Sequence, residues 1–108
     1  MVEPAPAAAL EAMSDPHRRA IVELLAAAPS SVQALADRLP ISRPAVSRHL
    51  RLLKGADLVH DEAVGAQRIY SLRAEGLDAA RAYFTELWSE ATARYRLVAD
   101  NVAPKARP

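Results

Sequence analysis

The residues of this chain best suited to chemistry are Arg43, Ser47, Arg48, Arg51 and Lys54, which fall within a stretch of twelve. No Asp or Glu occurs anywhere between Arg38 and Ala56. Guanidinium groups grip guanine edges in bidentate fashion, a serine hydroxyl adapts to several partners, and cations hold phosphates without reading sequence. This is the chemistry of recognising a nucleic acid, not of breaking a bond. No Ser/His/acid array, glycine-rich phosphate loop or pair of carboxylates accompanies it, so an enzyme is not expected.

The element that must position these groups is a helix. Ser42 can cap free amides, and Pro44 sits in the first turn, where its missing N–H costs little. Val46, Leu50 and Leu53 at i, i+4 and i+7 form one apolar stripe. Lys54 belongs to the last turn, and Gly55 is the expected left-handed cap. With one side buried, the predicted DNA-contacting set is Ser42, Arg43, Pro44, Ser47, Arg48, Arg51 and Lys54. Arg43, Ser47 and Arg48 are the candidate base readers, while Arg51 and Lys54 suit phosphates.

The rest of the chain supplies a frame for that helix. Residues 1–6, with Pro4 and Pro6, are expected to be a flexible segment. A short first helix runs from Ala7 to Met13. Asp15-Pro16 then starts a second helix, which turns Ile21, Leu24, Leu25 and Ala28 inward before Pro29 ends it. Ser30 and Ser31 are alternative caps for a third helix over Val32–Leu39, Ser30 having capping-box spacing to Gln33. Leu39-Pro40-Ile41-Ser42 makes the turn into the cationic helix, a helix-turn-helix arrangement. After Gly55 the period changes to alternation, so that 58–62 and 67–72 read as two strands joined at Gly65. Arg68 on the second strand faces either DNA or an acid across the hairpin, Asp61 or Glu62. A long helix follows from Ala74 to about Asn101, with Gly76 a weak spot near its start. Its apolar positions include Phe84, Leu87, Trp88, Ala91, Tyr95 and Val98. So small a core cannot cover that stripe, and with Leu10 and Met13 it is expected to bury against a second copy. The aromatics could instead line an effector pocket. Residues 103–108 are expected to be a flexible basic tail.

Composition fits a folded domain of 108 residues, 51% hydrophobic and 25% charged, with a net charge of +1. Without cysteine there is no disulfide, thiolate metal site or thiol-based sensing. Neither a membrane span nor a signal pattern is present in the sequence, and a cytoplasmic location is expected. His49 beside the buried stripe reads as a semi-core residue and His60 as an exposed one. His17 near Asp15 offers half of a metal site without an evident second half, so neither metal nor cofactor is expected.

Several runs carry a family resemblance: Ala12-Met13-Ser14-Asp15-Pro16-His17-Arg18-Arg19, Ser42-Arg43-Pro44-Ala45-Val46-Ser47-Arg48-His49-Leu50, and Gly55-Ala56-Asp57-Leu58-Val59, with Gly65, Arg68 and Tyr70 beyond. Across about residues 8–100 the chain resembles the ArsR-type winged-helix repressors. The resemblance implies a mainly α fold with a small β-hairpin wing, ordered as four helices, two strands and a helix, over residues 7–102. It also implies a homodimer built from the first and last helices, with two recognition helices in successive major grooves of a palindromic operator. By position, base reading falls on Arg43, Ser47 and Arg48, and the wing contact on Arg68. Metal-sensing members carry a cysteine pair in the third helix, here Val32-Gln33-Ala34-Leu35-Ala36-Asp37-Arg38, or His and carboxylates on the last helix, which here has no histidine. The expectation is therefore a metal-independent regulator of double-stranded DNA whose effector, if any, the sequence does not name. Two alternatives stay open: a metal-responsive repressor with an atypical site at Asp15 and His17, and a winged-helix interaction module that does not bind DNA.

Overall fold

The computed structural model describes residues 5–102; of the flexible segments expected at 1–6 and 103–108, residues 1–4 and 103–108 lie outside the described residues, while Ala5 and Pro6 belong to a helix. Helix α1 spans Ala5–Ala12, α2 Pro16–Ala27, α3 Val32–Ala36, α4 Arg43–Gly55 and α5 Ala74–Val102. Strands β1 (Ser30–Ser31), β2 (Val59–Val64) and β3 (Gln67–Leu72) form an antiparallel sheet in the order β1-β3-β2. The expected hairpin is present, and Gly65 takes the left-handed conformation (φ 66°) at its turn.

The sheet has one strand more than expected. Ser30 and Ser31 were predicted only as caps, yet Ser30 pairs with Tyr70 and Ser31 with Ile69. A two-residue strand has no period of its own, so only the fold's placement of β3 beside it creates the pairing. Ser31 also caps α3, its Oγ accepting from the Ala34 amide at 3.1 Å. Gln33 donates instead to Asp37, which rules out the capping box with Ser30. Helix α1 starts at Ala5, two residues early, because Pro6 sits in a first turn that needs no donor. Ala28, expected inside, is exposed, since α2 ends at Ala27. Helix α3 stops at Ala36, three residues short of Leu39.

The core forms where α2, α3, α4 and the sheet meet. Ile21, Val46, Leu50 and Leu53 are fully buried and Leu35, Leu58 and Val59 nearly so, which fixes α4 along its whole predicted stripe. Helix α4 runs through the expected cap, Gly55, which is its last helical residue. Ala56 is buried at Leu53+3 and extends the stripe, so the left-handed residue is Asp57 (φ 67°), not Gly55. Leu58 N–H donates to Leu53 C=O (3.0 Å) and Asp57 N–H to Lys54 C=O (3.0 Å), the paired bonds of a Schellman cap. The chain is then aimed straight into β2.

Helix α5 begins against this corner. Gly76 is buried, and a Cβ there would overlap the Asp57 carbonyl oxygen and lie 2.7 Å from its carbon. Gly76 is therefore a close-approach site, not a weak spot. Leu77 and Ala80 pack on the core, α1 lies along α5, and every residue from Arg81 to Ala91 is exposed.

Candidate nucleic-acid interface

Helix α4 divides its residues as the sequence predicts. Its buried residues are Val46, His49, Leu50 and Leu53. Arg43, Pro44, Arg48, Arg51 and Lys54 are exposed, and Ser47 is half-buried. At 100° per residue, Pro44, Arg48 and Arg51 lie opposite the buried stripe. Arg43, Ser47 and Lys54 cluster within about 40° of one another on one flank. Ser42 is exposed, but its hydroxyl already accepts from the Ala45 amide at 3.2 Å and caps the helix. Its first duty is thus to hold the N-terminus of α4.

The flank carrying Arg43 and Lys54 meets the wing at both ends. At the start of α4, Arg43 lines a cleft of about 240 Å3 with Ser31, Val32, Gln33, Ala66, Gln67, Arg68 and Tyr70. The sequence reading missed Gln33 and Gln67 as part of this surface. Both are exposed amides with no local signal beyond their polarity. At the end of α4, Lys54 Nζ lies 2.8 Å from Asp61 Oδ1, and Arg68 Nε lies 2.6 Å from Asp61 Oδ2. Arg68 thus forms the cross-strand pair that stood as the alternative to a DNA contact, and Lys54 shares its acid. The bonds from Lys54 and Arg68 hold the Asp61 carboxyl below its ordinary range, and that same carboxylate raises the Arg68 guanidinium. Tyr70 packs against the core.

On the far side of α4, the start of α2 is tied to the recognition helix through Arg18. Its Nε donates to the Ala12 carbonyl at 2.7 Å, and its main-chain N–H donates to Asp15 Oδ2 at 3.0 Å. A terminal amino group reaches His49 Nδ1 at 3.3 Å. Asp15 caps α2, and the Arg18 amide holds its carboxyl below the usual value. Burial is the main cause that pushes His49 down, toward the neutral ring. The fold also supplies what His17 lacked in sequence. Asp15, His17 and His49 each bring a donor atom within 4.8 Å of the others, and the His17 and His49 rings lie 5.9 Å apart. Three such ligands would suit a divalent cation. Against this, the Arg18 guanidinium engages Nδ1 and would set a fixed positive charge beside the metal. The cluster fits a polar network that seats α4 better than it fits a cation site.

The expected dimer residues are divided in the single chain. Leu10, Phe84, Leu87, Trp88, Ala91, Tyr95 and Val98 are exposed, Trp88 at 65% and Tyr95 at 72%. Met13 is half-buried against the chain's own core. The Phe84 and Trp88 rings lie 5.9 Å apart on an open face, not around an enclosed pocket.

A helix-turn-helix domain family matches residues 13–62, the segment from the start of α2 through α4 into the wing. The HTH-type transcriptional regulator Rv2034 of Mycobacterium tuberculosis is 46% identical over 96 residues, covering 89% of this chain and 90% of that protein. An ArsR-like transcriptional regulator from Rhodococcus sp. RHA1 superposes with a TM-score of 0.76 at 28% identity, covering 93% of this chain and 94% of that one. The chain belongs to the ArsR-type winged helix-turn-helix regulators. The homodimeric winged helix-turn-helix domain of Mb0332 from Mycobacterium bovis, a possible ArsR-family regulator, gives a TM-score of 0.64 at 25% identity, covering 96% and 86%. The protein is a DNA-binding transcriptional regulator, not an enzyme. Among the described residues no helix is long and apolar enough to cross a membrane.

Proposed function

We propose that this regulator is a homodimeric repressor. Each protomer lays α4 in one of two successive major grooves of a palindromic operator, with the β2–β3 wing alongside. The observation that carries the reading is the division of α4, where one stripe is fully buried and a face with no acid on it is open. Arg43, Ser47 and Arg48 read base edges, while Arg51, Lys54 and Arg68 hold the backbone. The dimer forms through α5 and α1, since Phe84, Leu87, Trp88, Tyr95 and Val98 form an uncovered apolar stripe and a structural relative is named as homodimeric. Repression follows from occupancy, because a dimer on two major grooves obstructs a promoter. The signal is metal-independent, as Arg18 holds the Asp15–His17–His49 donor cluster in a hydrogen-bonded network.

Fluorescence anisotropy tests this with labelled duplex from upstream of the protein's own gene, beside a scrambled duplex, at two salt concentrations, with and without zinc. Expected are tight binding to the upstream duplex, a steep loss with salt and indifference to zinc. Failure to bind either duplex at low salt would leave only the interaction-module reading.

A further inference from the structure

The two cations nearest the wing share one acid. Asp61 is only 5% exposed at its side chain, whereas Lys54 and Arg68 are 54% and 57% exposed. Asp61 pairs with Tyr70 across the ladder, so Arg68, two residues from Tyr70 on the same strand face, is its diagonal neighbour. Lys54 arrives from the last turn of α4. One carboxylate therefore ties the end of the recognition helix to the wing.

These bonds leave most of the cationic donors available to a ligand. Arg68 meets Asp61 through Nε, and among the described residues no hydrogen bond is formed by its two terminal amino groups. The same Arg68 lines the cleft between the start of α4 and the wing, where Ser31, Gln33, Arg43 and Gln67 add polar and cationic groups. About 240 Å3 leaves room for a phosphate with bridging water.

We propose that Asp61 is a positioning residue for DNA-backbone recognition. It presets Arg68 on the wall of this cleft and Lys54 at the end of α4, so that both meet backbone phosphates already ordered. The inference rests on the DNA-binding reading of the same face and adds to it a residue of the wrong charge for DNA.

Two opposing effects decide the sign. A carboxylate near DNA repels phosphate, and across about 7 Å of screened surface this amounts to less than about twofold at the dielectric of water and roughly fivefold at that of a protein surface. Ordering two long, flexible cations only upon binding amounts to roughly 5- to 150-fold. Positioning outweighs repulsion, so removal of the acid weakens binding.

The test is a thermodynamic cycle on the full chain, read by anisotropy with the upstream and scrambled duplexes. Asp61→Ala is expected to weaken both by about 5- to 20-fold, because phosphates carry no sequence information. In a Lys54→Ala/Arg68→Ala background the same change should alter affinity less than twofold. Asp61→Asn, run in parallel with melting curves, replaces Asp61→Ala if the latter does not fold. Tighter binding with a steeper salt dependence would mean that the acid competes with DNA, and the proposal falls. It falls equally if affinity is unchanged, or if the full loss persists in the double-alanine background, where Asp61 would be merely structural. Wild-type protein that binds neither duplex overturns the DNA reading itself, and the proposal with it.

Discussion

Replacing Gly76 by alanine sets two well-characterised effects against each other. In the first turn of a helix alanine should help, since glycine is about 1 kcal/mol the worse helix former. Gly76, however, lies under the Asp57 carbonyl, and a Cβ would overlap its oxygen and approach its carbon to 2.7 Å. Carbon atoms rest about 3.5–4 Å apart and the overlapped oxygen is nearer still, so the backbones must separate by more than about 1 Å. The Asp57 carbonyl cannot rotate away cheaply, because Asp57 is the left-handed residue of the α4 cap and its neighbours Leu58 and Arg73 are joined by a 2.8 Å main-chain bond. Overpacking of this kind costs about 1–3 kcal/mol, and more where backbone must move. The net expectation for Gly76→Ala is a loss of about 1–2 kcal/mol, a fall in Tm of roughly 5–15 °C for a domain of this size. Thermal and urea unfolding followed by circular dichroism, at fixed protein concentration, measure it. A Tm equal to or above wild type would show that the helix-propensity gain prevails and would refute the close-approach account of the α4–α5 corner.

Arg48→Ala should cost about 1–3 kcal/mol on the operator and relax base preference, whereas Lys54→Ala should weaken operator and random DNA alike; equal losses on both duplexes for Arg48→Ala would remove its base-reading role. Leu87→Glu should weaken dimerisation by about 100-fold or more, since each buried leucine contributes about 1.5–3 kcal/mol and symmetry counts it twice. Sedimentation equilibrium reads this, and Trp88, the one tryptophan and 65% exposed in the single chain, should shift its emission to the blue as wild-type copies associate. His49, held neutral chiefly by burial, has a folded pKa below its unfolded value of about 6.5. The unfolded chain therefore takes up a proton first as pH falls, and stability should drop from pH 7.5 to 5.5. Asp15 and Asp61, with lowered pKa values, act only below about pH 4. If His49→Gln loses as much stability over that interval as wild type, the burial of His49 is not the cause.

The sequence by itself determined the recognition helix and the hairpin. Their signals are local and redundant: a cap at Ser42, a proline in the first turn, a stripe at Val46, Leu50 and Leu53, and alternation either side of Gly65. Exclusion of acids from residues 39–55 is likewise visible without a fold, because charge of one sign on an exposed helix face needs no partner to define it. The long apolar stripe of α5 was legible for the same reason, helical period being a property of the chain alone. Tertiary structure decided everything that depends on residues far apart in sequence. Ser30–Ser31 becomes a strand only because β3 lies beside it, and Asp57 takes the left-handed cap only because Ala56 is drawn into the core. Gly76 matters only because that cap brings a carbonyl against α5. The same holds at the DNA face, where Asp61 was visible in sequence as one candidate partner for Arg68. Its grip on Lys54 as well, seven residues away in the preceding helix, required the sharp α4–β2 corner to exist. Periodicity and capping act within a few residues and can be read along the chain, whereas close approach and shared ion pairs are set by where the chain returns in space.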